Sequence, residues 1–132
     1  MEETKMGMFK VKARVANLSD PKKFFEEDFW VDTGSMYTFV PENRLQEIGI
    51  GPELSREAVL ADGRRNRLLL GQAAITLHEL GETLFCQVMF GAKDSLYLLG
   101  ATTMEAFSVE PDPVTKKLKP VAAIIGAHFD GR

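Results

Sequence analysis

A four-residue polar island, Asp32-Thr33-Gly34-Ser35, sits between the apolar runs Phe29-Trp30-Val31 and Met36-Tyr37-Thr38-Phe39-Val40. Aromatic and β-branched residues suit a pleated, half-buried surface, so both runs read as β-strands. The island is then the tight connection between them, with Gly34 free to adopt backbone angles that other residues avoid. A carboxylate this close to apolar strands carries a desolvation cost unless hydrogen-bond donors surround it. Thr33, Ser35 and the loop N–H groups are the candidate donors. An acid in such a setting is a candidate for chemistry.

Period-two alternation recurs along the chain. Phe9, Val11, Ala13 and Val15 alternate with Lys10, Lys12 and Arg14, which predicts a strand with one wet face. Asn17-Leu18-Ser19-Asp20-Pro21 is turn chemistry, and the stretch from Phe24 to Val31 is a strand that delivers Asp32 at its end. The stretch from Pro41 to Gly49 predicts a short helix, with Pro41 in its first turn and Gly49 at its C-terminal cap. Asp62-Gly63 between two apolar arms is a hairpin signal with an arginine-rich, polar tip. Gly71 is expected to mark a bend or bulge, followed by another strand through Ala73, Ile75 and Leu77. Gly81-Glu82 turns the chain into an alternating run from Leu84 to Phe90. Tyr97-Leu98-Leu99 is a short strand ending at Gly100. Thr102 and Glu105 have capping-box spacing, which predicts a short helix through Met104 and Phe107. A turn at residues 112–117 joins residues 107–110 to residues 118–121. Val121-Ala122-Ala123-Ile124-Ile125 is β-prone and sticky if left uncovered. Many short strands with two short helices predict a mostly β barrel or sandwich.

Composition narrows the function. A chain of 132 residues is expected to form one domain with a single core. A net charge of −3 gives no electrostatic footprint for nucleic acid and argues against a role on acidic membranes. Residues 1–6 are polar and lack the apolar core of a signal peptide, and no apolar run approaches a membrane span. The lone cysteine, Cys86, excludes an internal disulfide and suits a reducing compartment, so a cytoplasmic location is expected. His78 and His128 are far apart, and no Cys/His/Asp spacing matches a metal site, so neither metal nor cofactor is expected. Cys86 reads as a small buried hydrophobe, and Ser35 has no histidine near it in sequence. Lys116, Lys117 and Lys119 read as a wet turn. There is no nucleophile elbow and no phosphate-binding glycine loop.

The ordered set of an apolar strand, Asp32-Thr33-Gly34-Ser35, an Asp-Gly hairpin, then Leu98-Leu99-Gly100 before a helix resembles the retropepsin-like aspartic proteases. The resemblance spans roughly Phe9 to Phe107. The segment from Leu98 to Ala106, followed by Asp112-Pro113-Val114-Thr115, looks like the small prokaryotic branch of that group. It implies a mostly β, closed-barrel half of an acid protease with one or two short helices. The core would cover about residues 8–110, with a C-terminal hairpin extension over 111–132. Aspartic proteolysis needs two carboxylates that share one proton. One Asp-Thr-Gly motif supplies one carboxylate, so the resemblance implies a homodimer in which two copies of Asp32 meet on a two-fold axis. By the same resemblance, Thr33 hydrogen-bonds across the axis, Gly34 brings its N–H to the carboxylate, and Ser35 bonds the outer carboxylate oxygen. Ala61, Asp62, Gly63 and Arg64 take the place of the flap over a peptide or protein substrate. Leu98, Leu99 and Gly100 pack beneath the loop. Two features depart from the viral pattern: the tip carries Asp62, Arg64, Arg65, Asn66 and Arg67, and the tail beyond Glu110 is longer. Residues 107–110 would then take the strand of the dimer sheet, with residues 118–125 extending that sheet or covering its edge.

A plainer reading stands beside this one. An aspartate before Thr-Gly commonly closes an Asx turn on its own loop, and without Leu98-Leu99-Gly100 that reading would be preferred. Asp62-Gly63 is a hairpin turn under either reading, and its arginines are most simply a solvated tip. Two alternatives to an enzyme remain at this level. One is a catalytically silent peptide-binding or dimerisation module of the same fold. The other is a monomer in which Asp32 is unpaired.

Overall fold

The computed structural model describes residues 9–122 and residue 126. Strand β1 (Lys10–Ala16) buries Val11, Ala13 and Val15 and pairs antiparallel with β2 (Phe24–Val31). The turn between them is held by Asn17, whose Oδ1 accepts from the N–H groups of Ser19 (2.9 Å) and Asp20 (3.1 Å). The other end of the same side chain donates to the Ile48 carbonyl at 2.9 Å, which ties this turn to the next helix.

The remaining strands are β3 (Thr38–Pro41), β4 (Leu54–Val59), β5 (Arg65–Leu77), β6 (Glu82–Gly91) and β7 (Leu98–Leu99). They form a seven-stranded sheet in the order β1-β2-β7-β3-β6-β5-β4. A further antiparallel pairing, from Ala13↔Leu77 to Ala16↔Ala74, joins β1 to β5, so the ladder returns on itself and leaves β4 outside the ring. Inside lie Val15, Phe29, Val40, Leu45, Ile75, Leu77, Val88 and Leu99, all at most 1% exposed. Each such side chain contributes about 1.5–3 kcal/mol on burial, which is what holds so short a set of strands together.

Two expectations about strands need correction. The arm of the Asp62-Gly63 hairpin and the strand through Ile75 are one thirteen-residue element, β5, and its ladder with β6 runs unbroken through Gly71↔Val88. Gly71 therefore marks no bulge. A Cβ there would stand 2.9 Å from the Gly51 carbonyl and 3.1 Å from the Phe90 ring, so the glycine permits a close backbone crossing. On either side of that crossing β5 changes partner, from β4 to β1.

Helix α1 (Glu42–Glu47) begins one residue later than expected, with Pro41 as its extended N-cap. Arg44 anchors it. The guanidinium donates to Tyr97 Oη (2.6 Å) and Glu27 Oε1 (3.2 Å), and it stacks over Phe25 at 4.2 Å. Helix α2 (Ala101–Ala106) is followed by β8 (Val109–Asp112) and β9 (Lys117–Pro120). These two strands form a separate two-stranded sheet, so β9 does not extend the main sheet. Phe107, Val109 and Leu118 are buried in the main core and dock the hairpin to it. The expectations for Ile124, Ile125, His128 and residues 1–6 lie outside the described residues. Among the described residues, no helix is long and apolar enough to cross a membrane.

Candidate active site

Strand β2 delivers Asp32 at the point where β7 ends. The Asp32 N–H donates to the Leu99 carbonyl at 3.0 Å, which continues the parallel pairing of Val31 with Leu99. The carboxylate is half-buried, and its Oδ1 accepts the Gly34 N–H at 3.0 Å. The Ser35 N–H closes the turn on the Asp32 carbonyl at 3.2 Å. Asp32 thus makes an Asx turn, which fixes one carboxylate oxygen on the loop backbone. Gly34 is needed for proximity rather than for an unusual φ: a Cβ there would sit 3.3 Å from Asp32 Oδ1.

The loop is fixed from below by Gly100 and α2. The Ala101 N–H donates to the Ser35 carbonyl (2.7 Å), and both the N–H (2.9 Å) and Oγ1 (2.8 Å) of Thr102 donate to the Met36 carbonyl. A helix leaves its first N–H groups without internal partners, and here the loop carbonyls satisfy them. The expected Thr102–Glu105 capping box is absent, because Gly100 is the N-cap and Thr102 is inside the helix. A side chain at Gly100 would collide with the Tyr37 carbonyl and lie 2.9 Å from that of Ser35. Gly100 and Leu99 therefore lie against the loop, while Leu98 pairs with Trp30 and Phe39.

Two residues that sequence reasoning missed complete this support. Among the described residues, Thr38 and Thr103 are the buried polar ones, at 0% and 1% exposure. Their hydroxyls lie 2.6 Å apart, and Thr38 Oγ1 also accepts the Gly100 N–H at 2.9 Å. Buried hydroxyls persist only when partnered, and these two bolt β3, Gly100 and α2 into one unit.

Ser35 falls differently from expectation. The Ser35 hydroxyl donates to the Tyr37 carbonyl at 2.7 Å and not to the carboxylate of its own loop. Its proton is committed to the backbone, where it stiffens the far side of the turn. Thr33 is exposed and lines a groove of about 480 Å³ with Met104, Val109, Pro111 and Val121.

Ala61, Asp62, Gly63 and Arg64 form an exposed, self-satisfied tip. Gly63 has φ +87°, its N–H donates to the Leu60 carbonyl (2.9 Å), and Arg64 Nε meets Asp62 Oδ2 at 2.6 Å. The backbone N–H of Arg64, then its guanidinium, hold the Asp62 carboxyl below the usual carboxylate range. Among the described residues, no hydrogen bond or ion pair joins this tip to the Asp32 loop. Burial pushes the Cys86 thiol up to about 11, so it is not primed as a nucleophile. His78 pairs with Glu26 at 3.3 Å on the surface. Among the described residues, no group of three His, Cys, Asp or Glu side chains is placed to hold a metal.

No family model matches this sequence. No curated protein matches it either. The fold does match a solved structure. The solution structure of the simian foamy virus (mac) protease aligns with a TM-score of 0.55 at 16% identity, over 77% of this chain and 98% of that one. The fold is therefore like that of a retroviral protease.

Proposed function

We propose that two copies of this chain form an aspartic endopeptidase of the retropepsin type, which hydrolyses peptide bonds with a water held between Asp32 and Asp32 of the partner subunit. The carrying observation is the seat of Asp32, a half-buried carboxylate on a loop bonded to Leu99 and to the start of α2 in a retroviral-protease fold. Rigid support of this kind is what a reacting group requires.

In the reaction, the ionised member of the pair takes a proton from water as the water oxygen attacks the scissile carbonyl carbon. The protonated member donates to the carbonyl oxygen. The tetrahedral diol then collapses as the C–N bond breaks: one carboxyl gives its proton to the leaving amine, and the other takes the diol hydroxyl proton, which restores the singly protonated pair. Thr33 bridges the two loops, and Gly34 holds one carboxylate oxygen in place. Ala61–Arg64 close over an extended peptide, and Leu98–Gly100 hold the floor. The ring of strands serves as the closed barrel of each half, with residues 8–110 as the protease core and the segment from 111 as an added hairpin. No metal or cofactor takes part. With a net charge of −3, neither nucleic acid nor membrane is a partner, and the lone thiol fits a cytoplasmic setting.

Asp32→Asn is isosteric and is expected to abolish cleavage of a peptide library while the dimer remains folded by circular dichroism and solution mass. Cleavage that survives the change rejects the reading. One feature favours a second reading, a silent peptide-binding module: the tip is closed on itself by the Asp62–Arg64 pair. Binding of a statine-type peptide without turnover of any library member selects that alternative.

A further inference from the structure

A second groove, of about 550 Å³, lies between the inner arm of the Asp62-Gly63 hairpin and the ends of β3, β6 and β7. Phe39, Phe90, Leu96 and Leu98 give it an apolar wall, and Leu69 contributes from the hairpin. Leu96 and Leu69 remain 51% and 40% exposed, so this wall is wet as it stands. Leu98, on the groove wall, is the β7 neighbour of Leu99, whose carbonyl accepts the Asp32 N–H at 3.0 Å. Ser95, also at its edge, has a buried Oγ without a hydrogen-bond partner among the described residues.

The charges at the rim are asymmetric. Three arginines follow the turn on the hairpin, and two are neutralised locally: Arg64 by Asp62 (2.6 Å) and Arg65 by Glu57 (2.9 Å). Glu57 is the cross-strand partner of Arg67, yet its Oε1 is bonded to Arg65. Arg67 lines the groove and, among the described residues, makes no ion pair. Its Nη1 donates to the neutral Ser55 Oγ at 2.6 Å. A guanidinium carries five donors in a planar fork, and most of this one remains open to a carboxylate. Glu42, at the start of α1, also lines the groove.

We infer that this groove selects an extended peptide with a bulky apolar side chain beside an acidic one, the apolar group lying on Phe39, Phe90 and Leu98 and the acid read by Arg67. This rests on the peptide-cleft reading above, and it adds a substrate class. Glu42 works against a second acid, so the preference is for one acidic neighbour rather than a run of them.

The test separates binding from turnover. Short fluorescent peptides with a central Phe, differing only by Glu, Gln or Lys at the adjoining positions, are titrated against the Asp32→Asn chain by anisotropy. The expected result is tighter binding of a Glu peptide than of its Gln counterpart by about tenfold, the order of one charge-assisted hydrogen bond at a solvated rim. Arg67→Gln removes that difference, Arg67→Lys keeps part of it, and Glu42→Gln widens it. Arg67 is exposed, and unchanged thermal unfolding of its variants excludes a folding defect. Equal binding of Glu and Gln peptides, a preference that survives Arg67→Gln, or no binding of any peptide overturns the inference. Absence of cleavage by the unaltered chain, with the Glu preference intact, overturns only the proteolytic reading.

Discussion

Gly100 carries more structural consequence than any single side chain near the site. It passes so close to the Tyr37 and Ser35 carbonyls that a methyl group has no room. Gly100→Ala is expected to cost about 1–3 kcal/mol through overpacking and to displace the Asp32 loop. Denaturant unfolding reads the first effect, and loss of activity out of proportion to unfolding reads the second. Thr38 and Thr103 are its counterpart in hydrogen bonding. Thr38→Val leaves the Gly100 N–H and the Thr103 hydroxyl without their acceptor or partner, at a cost of about 1–3 kcal/mol. A double-mutant cycle with Thr103→Val should show that the two losses do not add, because both remove the same bond. Gly100 was legible in sequence as the end of Leu98-Leu99-Gly100. The threonines were not, since a β-branched residue in an apolar strand looks like packing and its partner lies 65 residues away. The Ser35 expectation failed for a related reason. A hydroxyl can bond any nearby oxygen, and sequence does not rank the Tyr37 carbonyl against a carboxylate.

Among the elements, strands were readable where one face is wet. The bounds of β1 and β2 follow the alternation of Val11, Ala13 and Val15 and the aromatic run to Val31. The long β5 was not readable as one strand, because Gly71 suggests a break and only the crossing of Gly51 explains it. The polar Leu54-Ser55-Arg56-Glu57 carries little strand signal, yet it becomes β4 by pairing with the arm of β5. Helix α2 was found by its capping box, although that box does not form; the loop carbonyls do its work. The hairpin tip yields a prediction of its own. With the folded-state pKa of Asp62 lowered by Arg64, the Asp62–Arg64 pair persists above the ordinary carboxylate range and is lost only as pH falls through the lowered value. An NMR titration of the Arg64 Nε–H should therefore show its midpoint on the acid side of an ordinary aspartate. Asp62→Asn should erase that transition and raise hydrogen exchange at the tip amides, with little change in global stability, because the pair is exposed.

For the whole molecule, two structural facts bear on assembly. The strands close into a ring through the β1–β5 pairing, and the β8–β9 hairpin packs on the core through Val109 and Leu118. The exposed Thr33 then lines a groove walled in part by that hairpin. The chain carries one Asp-Thr-Gly motif, so under the proposed dyad activity should depend on chain concentration through dimer formation. A shared proton further predicts a bell-shaped rate profile on the acid side of neutrality, falling where both carboxylates ionise; kcat/KM measured against pH checks it. The decisive measurement is the separation of the two Asp32 carboxyl groups in a crystal structure of the assembled protein. Oxygens within about 3 Å of each other across a two-fold axis are expected of a proton-sharing dyad. Carboxyl groups turned apart in every assembly the chain forms would show that it is not an aspartic protease.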